Sequence, residues 1–409
     1  MSSTLVSCVR SRAPTTSASS CRCGSDLQLQ HLSIREFRNL SAGEVHFGPR
    51  FTVLHGHNGA GKTNVLEALY LVATLRSFRS ADFSPLVRQG QSEARVEITG
   101  LDARVGISSR LVVQLIRSER QTRRVAQADG KLVRSGLDFY GRLRAILFTP
   151  EDLGVLRGAP TGRRQFLDRV LFARERTHIS DVQDYEKLLR SRNRVLRDEE
   201  GSPRTRDDLL ATYEVGLAEV GGRIWTRRSR LLTDLHDRFA AAFAGIHGRS
   251  LPATVQYVSK VGALDGRVAQ EVLADALRDS RRHDLVRGTT TVGPHRDDFD
   301  MQLGEQTASN FASQGQARAL ILAFKIAELQ AARELTGEAP LLLLDDVSSE
   351  LDPERSAQLF TALVREAGQC VLTTTAPHFI GLEPGQDCRY IKVTGGRIEA
   401  SGAAPSNGP

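Results

Sequence analysis

Long apolar runs, tryptophan, methionine, lysine and paired cysteines are all scarce in this sequence. Its 409 residues include one Trp, two Met and five Cys. No uninterrupted apolar stretch reaches the roughly 20 residues that span a bilayer, so no membrane partner and a soluble, cytoplasmic protein are expected. Cys8, Cys21, Cys23, Cys370 and Cys388 are odd in number and irregularly spaced. That excludes a disulfide framework and suits a reducing compartment. Cys21-Arg22-Cys23 lacks the two-residue spacer of common zinc sites and has no second pair nearby, so no metal site is expected there. Lysine occurs only at 62, 131, 187, 260, 325 and 392, and the net charge is nevertheless +7. The positive charge is therefore almost entirely arginine. Such a balance fits a polyanionic partner, and it is equally what an arginine-favouring base composition would give.

What the sequence does have is Gly56-His57-Asn58-Gly59-Ala60-Gly61-Lys62-Thr63. An apolar run, Phe51-Thr52-Val53-Leu54, precedes it and a helical run from Val65 follows. Strand, glycine-rich loop and helix are the context of a nucleoside-triphosphate phosphate loop. The glycines let backbone N–H groups close around phosphates at a helix start. Lys62 is then expected on the β- and γ-phosphates of ATP, and the Thr63 hydroxyl on Mg²⁺.

Two further stretches point the same way. Leu341-Leu342-Leu343-Leu344 reads as a buried parallel strand with Asp345 and Asp346 at its carboxyl end, where parallel sheets place ligands. Asp345 is expected to hold the metal and Asp346 to orient an attacking water. Val371-Leu372-Thr373-Thr374-Thr375 reads as another buried strand; β-propensity or a γ-phosphate sensor explains its threonines. Ser313-Gln314-Gly315-Gln316 precedes a long amphipathic helix with Ala317, Leu320, Phe324, Ala327 and Ala331 on one face, and taken alone Ser313 is best read as a helix N-cap.

The expected fold class is α/β, a mixed sheet with helices and an inserted helical lobe. Residues 1–26, rich in Ser, Thr and Arg, form a disordered extension, and 401–409 a disordered tail. Residues 27–148 form the first part of the nucleotide lobe, with a β-meander from Glu93 to Val133. Residues 149–285 form the helical lobe, with helices expected at 162–174, 181–198, 206–245 and 267–285 and a kink or break at Gly221-Gly222. Residues 286–400 complete the nucleotide lobe. Arg190, Arg192, Arg194 and Arg197 form either a solvated face or one that tracks a phosphate backbone.

Together these stretches resemble the ABC-type ATPases of chromosome maintenance and repair, and most closely the bacterial RecF family. The resemblance runs from about Leu27 to about residue 400. It is carried by Ile34-Arg35-Glu36-Phe37-Arg38-Asn39, the phosphate loop, Phe78-Arg79-Ser80 and Phe148-Thr149-Pro150-Glu151-Asp152-Leu153. Further carriers are Arg163-Arg164-Gln165-Phe166-Leu167-Asp168, Gly293-Pro294-His295-Arg296-Asp297-Asp298, the Ser313 signature, and Leu344-Asp345-Asp346-Val347-Ser348-Ser349-Glu350-Leu351-Asp352. The extension 1–26 departs from the family. The resemblance implies an ABC-type ATPase head that dimerises head to tail on ATP. Arg38 and Asn39 join the nucleotide site, and Ser313, Gly315 and Gln316 close over the partner's nucleotide. It also implies binding to single-stranded and gapped DNA and duplex junctions, weak DNA-dependent ATP hydrolysis, and work with RecO and RecR in loading RecA during recombinational repair, replication restart and the SOS response. A long-coiled-coil SMC protein is disfavoured by the short helical segment without heptads. An ABC transporter subunit is disfavoured by Ala-Ser-Gln-Gly-Gln in place of Leu-Ser-Gly-Gly-Gln.

Overall fold

The computed structural model describes residues 27–102, 106–198, 202–248, 251–262, 264, 266–337, 339–346, 368–375 and 387–399. The expectations for 1–26, for 401–409, for Cys21-Arg22-Cys23 and for Val347 to Asp352 lie outside the described residues.

The chain opens with β1 (Leu27–Phe37), β2 (Leu40–His46) and β3 (Phe51–His55), then α1 (Lys62–Thr74). The meander follows as β4 (Glu93–Asp102), β5 (Ile107–Arg117), β6 (Thr122–Ala128) and β7 (Lys131–Leu132). After the short α2 (Gly136–Phe139) come β8 (Ala145–Phe148), α3 (Pro150–Leu153), α4 (Pro160–Arg174), α5 (Arg176–Arg197) and α6 (Pro203–His247). Then come β9 (Ala253–Val258), α7 (Ala269–Arg287), β10 (Asp298–Leu303), β11 (Gln306–Thr307), α8 (Ala308–Phe311) and α9 (Gln314–Thr336). The last described elements are β12 (Leu341–Leu344), β13 (Cys370–Thr374), β14 (Cys388–Thr394) and β15 (Arg397–Ile398).

Three sheets result. The antiparallel one has the order β2-β1-β4-β5-β6-β7, and the small one β11-β10-β9. The third has the order β15-β14-β3-β13-β12-β8, with β14, β3, β13, β12 and β8 all parallel. Its strands are short and apolar because both faces are covered. Alternate residues serve two cores. Leu54, Leu147, Leu343 and Val371 join α1 and the antiparallel sheet on one face. Val53, Phe148, Leu344 and Leu372 join α4, α6 and α9 on the other. Gln369 ties the two sheets together: its amide exchanges hydrogen bonds with the backbone of Leu29 at 2.8 and 2.9 Å and donates to Gly48 O at 2.9 Å.

The interrupted third helix is not seen. α6 runs unbroken for 45 residues, on the order of 68 Å at 1.5 Å per residue. Gly221 and Gly222 serve close packing instead of a kink. A Cβ on Gly222 would stand 2.8 Å from the Gln270 backbone, and one on Gly221 would stand 2.6 Å from Leu273 Cδ2. The first half of α6, with Leu217, Ile224 and Trp225, packs in a peripheral cluster with α5 and α7. Its second half, with Leu231, Leu235, Phe239 and Phe243, enters the main core. β9 is a strand that the helical reading of this region missed; its six residues pair with β10, whose first residue Asp298 faces Val258 and whose last, Leu303, faces Ala253, and no local pattern announces that distant partner. α9 is buried well beyond its expected face, Ile321, Ala323 and Leu329 included. Phe324 on α9 meets the rings of Phe166, Phe239 and Phe299.

Candidate nucleotide site

The phosphate loop joins β3 to α1 at the carboxyl edge of the parallel sheet. Gly61 caps α1 with φ +113°, a conformation open to glycine, and a Cβ there would stand 2.8 Å from Asn39 Oδ1. No side chain caps this helix, so its first N–H groups stay available to an anion. Gly56, His57 and Ala60 form the back of the loop. A Cβ on Gly56 would collide with Val393 O, and Ala60 N bonds His57 O at 3.2 Å.

Arg38, Asn39, Asn58, Gly59, Gly61, Lys62, Thr63 and Asp346 line one cleft of about 960 Å³, together with Asn64 and Arg79. That is the size of a ligand pocket. The Lys62 ammonium donates to Gly56 O at 2.8 Å and to His57 O at 3.0 Å. Burial lowers its pKa, while Asp346 and Asp345 act in the opposite direction.

The acids stand where β12 ends. Asp345 is buried, and burial raises its pKa against two hydroxyl hydrogen bonds. Its Oδ1 accepts from Thr63 Oγ1 and from Thr373 Oγ1, each at 2.8 Å. Thr373 Oγ1 also accepts from Asp346 N at 2.9 Å. Thr373 thus braces the two acids, a role that β-propensity did not disclose. Asp346 has φ +39°, strained for a residue with a side chain, and it faces the cleft.

A third carboxylate, Glu67, escaped sequence reasoning. Glu67 on α1 is fully buried. It holds Arg38 through bonds of 2.9 and 2.7 Å, accepts from Ser77 Oγ and lies 3.7 Å from Arg79. Its signal was available: a lone acid in the run Val65-Leu66-Glu67-Ala68-Leu69 has to be paired when the helix is buried. Asn39 donates to Gly59 O at 3.2 Å and accepts from Asn64 at 2.7 Å, which ties the end of β1 to the loop.

Ser313, Gly315 and Gln316 are not brought to this cleft. Ser313 is exposed at the start of α9 in a reciprocal cap: its Oγ accepts from Gln316 N at 3.2 Å, and Gln316 Oε1 accepts from Ser313 N at 2.8 Å. The cap uses an acceptor pair of the hydroxyl and leaves its proton without an acceptor among the described residues.

The run Gly293 to Asp298 also lies elsewhere, as a clasp on the helices. Arg228 of α6 holds Asp168 of α4 with bonds of 3.0 and 2.8 Å and donates to Pro294 O at 2.7 Å. Asp297 accepts from Tyr257 at 2.9 Å, and Arg163 grips Asp298 at 2.8 and 2.6 Å. His295 Nδ1 meets Tyr185 Oη at 2.8 Å, and its Nε2 meets Thr290 O at 3.1 Å. A carbonyl only accepts, so Nε2 carries the proton and Nδ1 accepts from the tyrosine. Burial pushes the His295 pKa down to about 4. Of Arg190, Arg192, Arg194 and Arg197 on α5, Arg192 is fully buried between Glu214 and Asp284, at 2.9 and 2.8 Å, and so belongs to neither a solvated nor a phosphate-tracking face.

A parallel sheet with a phosphate loop, two terminal acids, a flanking antiparallel sheet and helices on the far face defines an ABC-type ATPase head. The family model described as RecF/RecN/SMC N terminal domain matches residues 28–382. A protein of Myxococcus xanthus called DNA replication and repair protein RecF is 41% identical over 381 residues, covering 91% of this chain and 97% of that protein. A protein of the same name from Geobacter sulfurreducens is 36% identical, covering 91% and 99%. The solved structure of the recombination mediator protein RecF-ATPrS in the RecFOR pathway superposes with a TM-score of 0.80 at 28% identity, covering 93% of this chain and 100% of that one. An Smc head bound to the C-winged helix domain of ScpA, at TM-score 0.51 and 14% identity over 93% and 98%, shares the fold alone. The chain belongs to the RecF family.

Proposed function

We propose that this chain is an ATP-dependent DNA-binding protein of recombinational repair and replication restart, in which ATP drives dimerisation and slow hydrolysis drives release. The observation that carries the reading is the linkage of Thr63 to Asp345 at the sheet edge, with Lys62 in the same cleft. A buried carboxylate whose pKa is raised, paired with a hydroxyl from the first turn of α1, is a donor set suited to a hard cation. Thr63 and Asp345 would hold Mg²⁺, which supplies charge neutralisation at the phosphates. Lys62 would exchange its bonds to Gly56 O and His57 O for phosphate oxygens, and the uncapped N–H groups of α1 would bind the same anion. Asp346, fixed through Thr373, would orient a water. Arg38, steered by Glu67, would complete the wall. Ser313 would offer its proton to the nucleotide of a second subunit, so each site is built from two chains. Single-stranded, gapped and duplex-junction DNA, RecO, RecR and RecA are the partners this reading assigns, with a place in the SOS response. The RecF structures in the RecFOR pathway and the net charge of +7 support it.

The test is binding to gapped DNA with ATP or ADP across a salt series, with sedimentation of the same samples. Tighter binding with ATP, a dimer in that state alone, and affinity falling steeply with salt are expected. Equal affinity in both nucleotide states would leave only a nonspecific arginine-rich surface.

A further inference from the structure

The solvent face of the first two strands carries a cluster that the nucleotide site does not use. His31 of β1 and His46 of β2 are a directly opposed cross-strand pair, and Glu44 lies two residues before His46 on the same face. The two imidazole rings have centroids 4.7 Å apart, and His31 Nε2 is 3.7 Å from Glu44 Oε2. One ligand atom from each of the three residues lies within 4.8 Å of the other two.

Strand alternation alone would not assemble this group. Leu27 and Leu29 point into the core, so an unbroken strand would send His31 inward after them. The register between β1 and β4 shifts between Leu29 and His31, which leaves Gln30 as an extra residue, and Leu32 and Ile34 then take the inward positions. This bulge turns His31 out beside His46, and re-aiming a side chain is a recurrent use of bulges.

Two imidazole nitrogens and one carboxylate oxygen form the donor set of open sites for zinc and neighbouring late first-row divalent ions. Mg²⁺, which prefers oxygen ligands, is a poor fit. With metal–ligand bonds of about 2.1 Å, two ligands of a tetrahedral ion stand about 3.4 Å apart. Closing from 4.8 Å or less asks for shifts of about an ångström from side chains at the surface. We propose that His31, Glu44 and His46 bind one Zn²⁺ ion per chain, with water as the fourth ligand, and that the ion clamps β2 to β1. β2 is the outermost strand of its sheet and leads directly into β3, the strand before the phosphate loop. The ion would therefore hold this edge in place without taking part in nucleotide chemistry.

Titration of the full chain with Zn²⁺ by calorimetry, without nucleotide, tests this, with Co²⁺ absorption reporting the geometry. One tight equivalent and a tetrahedral Co²⁺ spectrum are expected. His31→Ala and His46→Ala should each weaken Zn²⁺ binding by more than about tenfold, and Zn²⁺ should raise the thermal midpoint of the wild type but not of His46→Ala. His46→Asn with circular dichroism guards against loss through misfolding. The paired variant Cys21→Ser and Cys23→Ser should keep the equivalent. Absence of stoichiometric binding, full affinity in folded His46→Ala, or loss only in the cysteine variant would overturn the proposal.

Discussion

At the scale of single residues, Asp345 shows how a site can oppose the stability of its own fold. Burial raises its pKa, so folding favours the protonated form. The stability linked to this group is complete below the ordinary carboxylate range and is lost as pH rises through the raised value. Without a cation, the fold disfavours the charged form of this carboxylate. Asparagine keeps an acceptor for Thr63 and Thr373 and removes the charge. Asp345→Asn should therefore stabilise the nucleotide-free protein by about 1 kcal/mol in denaturant titrations at neutral pH. The same variant should lose most of the Mg²⁺-dependent part of ATP binding. A destabilised variant would show that the hydrogen bonds of the carboxylate outweigh its desolvation. Asp346→Asn should behave differently, retaining ATP and accumulating a dimer that hydrolyses poorly; identical behaviour of the two variants in nucleotide binding and sedimentation would refute the division of roles.

At the scale of elements, α6 joins the peripheral helices to the main core, and its glycines make that junction close. Alanine at 222 gains about 0.5–1 kcal/mol of helix propensity. The added methyl group meets the Gln270 backbone at 2.8 Å, where overpacking costs about 1–3 kcal/mol. Gly222→Ala should therefore destabilise in chemical denaturation, although an isolated helix would be strengthened; a stabilised variant would mean that α7 yields easily. The clasp from Gly293 to Asp298 makes a second prediction. His295 keeps its neutral form down to about 4 in the fold, against an ordinary value of 6.5. Its contribution is present above pH 6.5 and is lost as pH falls through that window, because only the unfolded chain takes up the proton. His295→Gln should flatten the dependence of stability on pH between about 6.5 and 4 relative to wild type, and an unchanged slope would assign that dependence to other groups.

At the scale of the whole molecule, the role proposed for Ser313, which lies apart from the phosphate-loop cleft, requires a second chain. Ser313→Arg removes a helix cap, at about 1 kcal/mol, and places a bulky group at the exposed start of α9. It should block dimer closure while ATP binding to the monomer survives. Lys62→Arg should abolish turnover in its own site, since a guanidinium does not fit where an ammonium sits between loop carbonyls. Mixed, the two variants form dimers in which one site has both parts intact. Partial recovery of ATP hydrolysis in the mixture, absent from either variant alone, is the expected result. No recovery despite mixed dimers shown by sedimentation would end the shared-site reading.

The sequence by itself determined the phosphate loop, the apolar strands around it, the acids at 345 and 346 and the family, because each is a local pattern whose spacing carries its own chemistry. It also contained the Glu67 signal in plain view, as an acid inside an apolar helix. Tertiary structure alone decided the rest. The continuity of α6 depends on the helix α7 that Gly222 meets, and β9 depends on a partner strand beyond α7. Thr373 braces the acids only because β13 lies next to β12. Arg192 is buried because Glu214 and Asp284, distant in sequence, neutralise it. In each case the deciding energy lies in a contact between residues far apart in the chain, and a local pattern holds no record of which distant group will supply it.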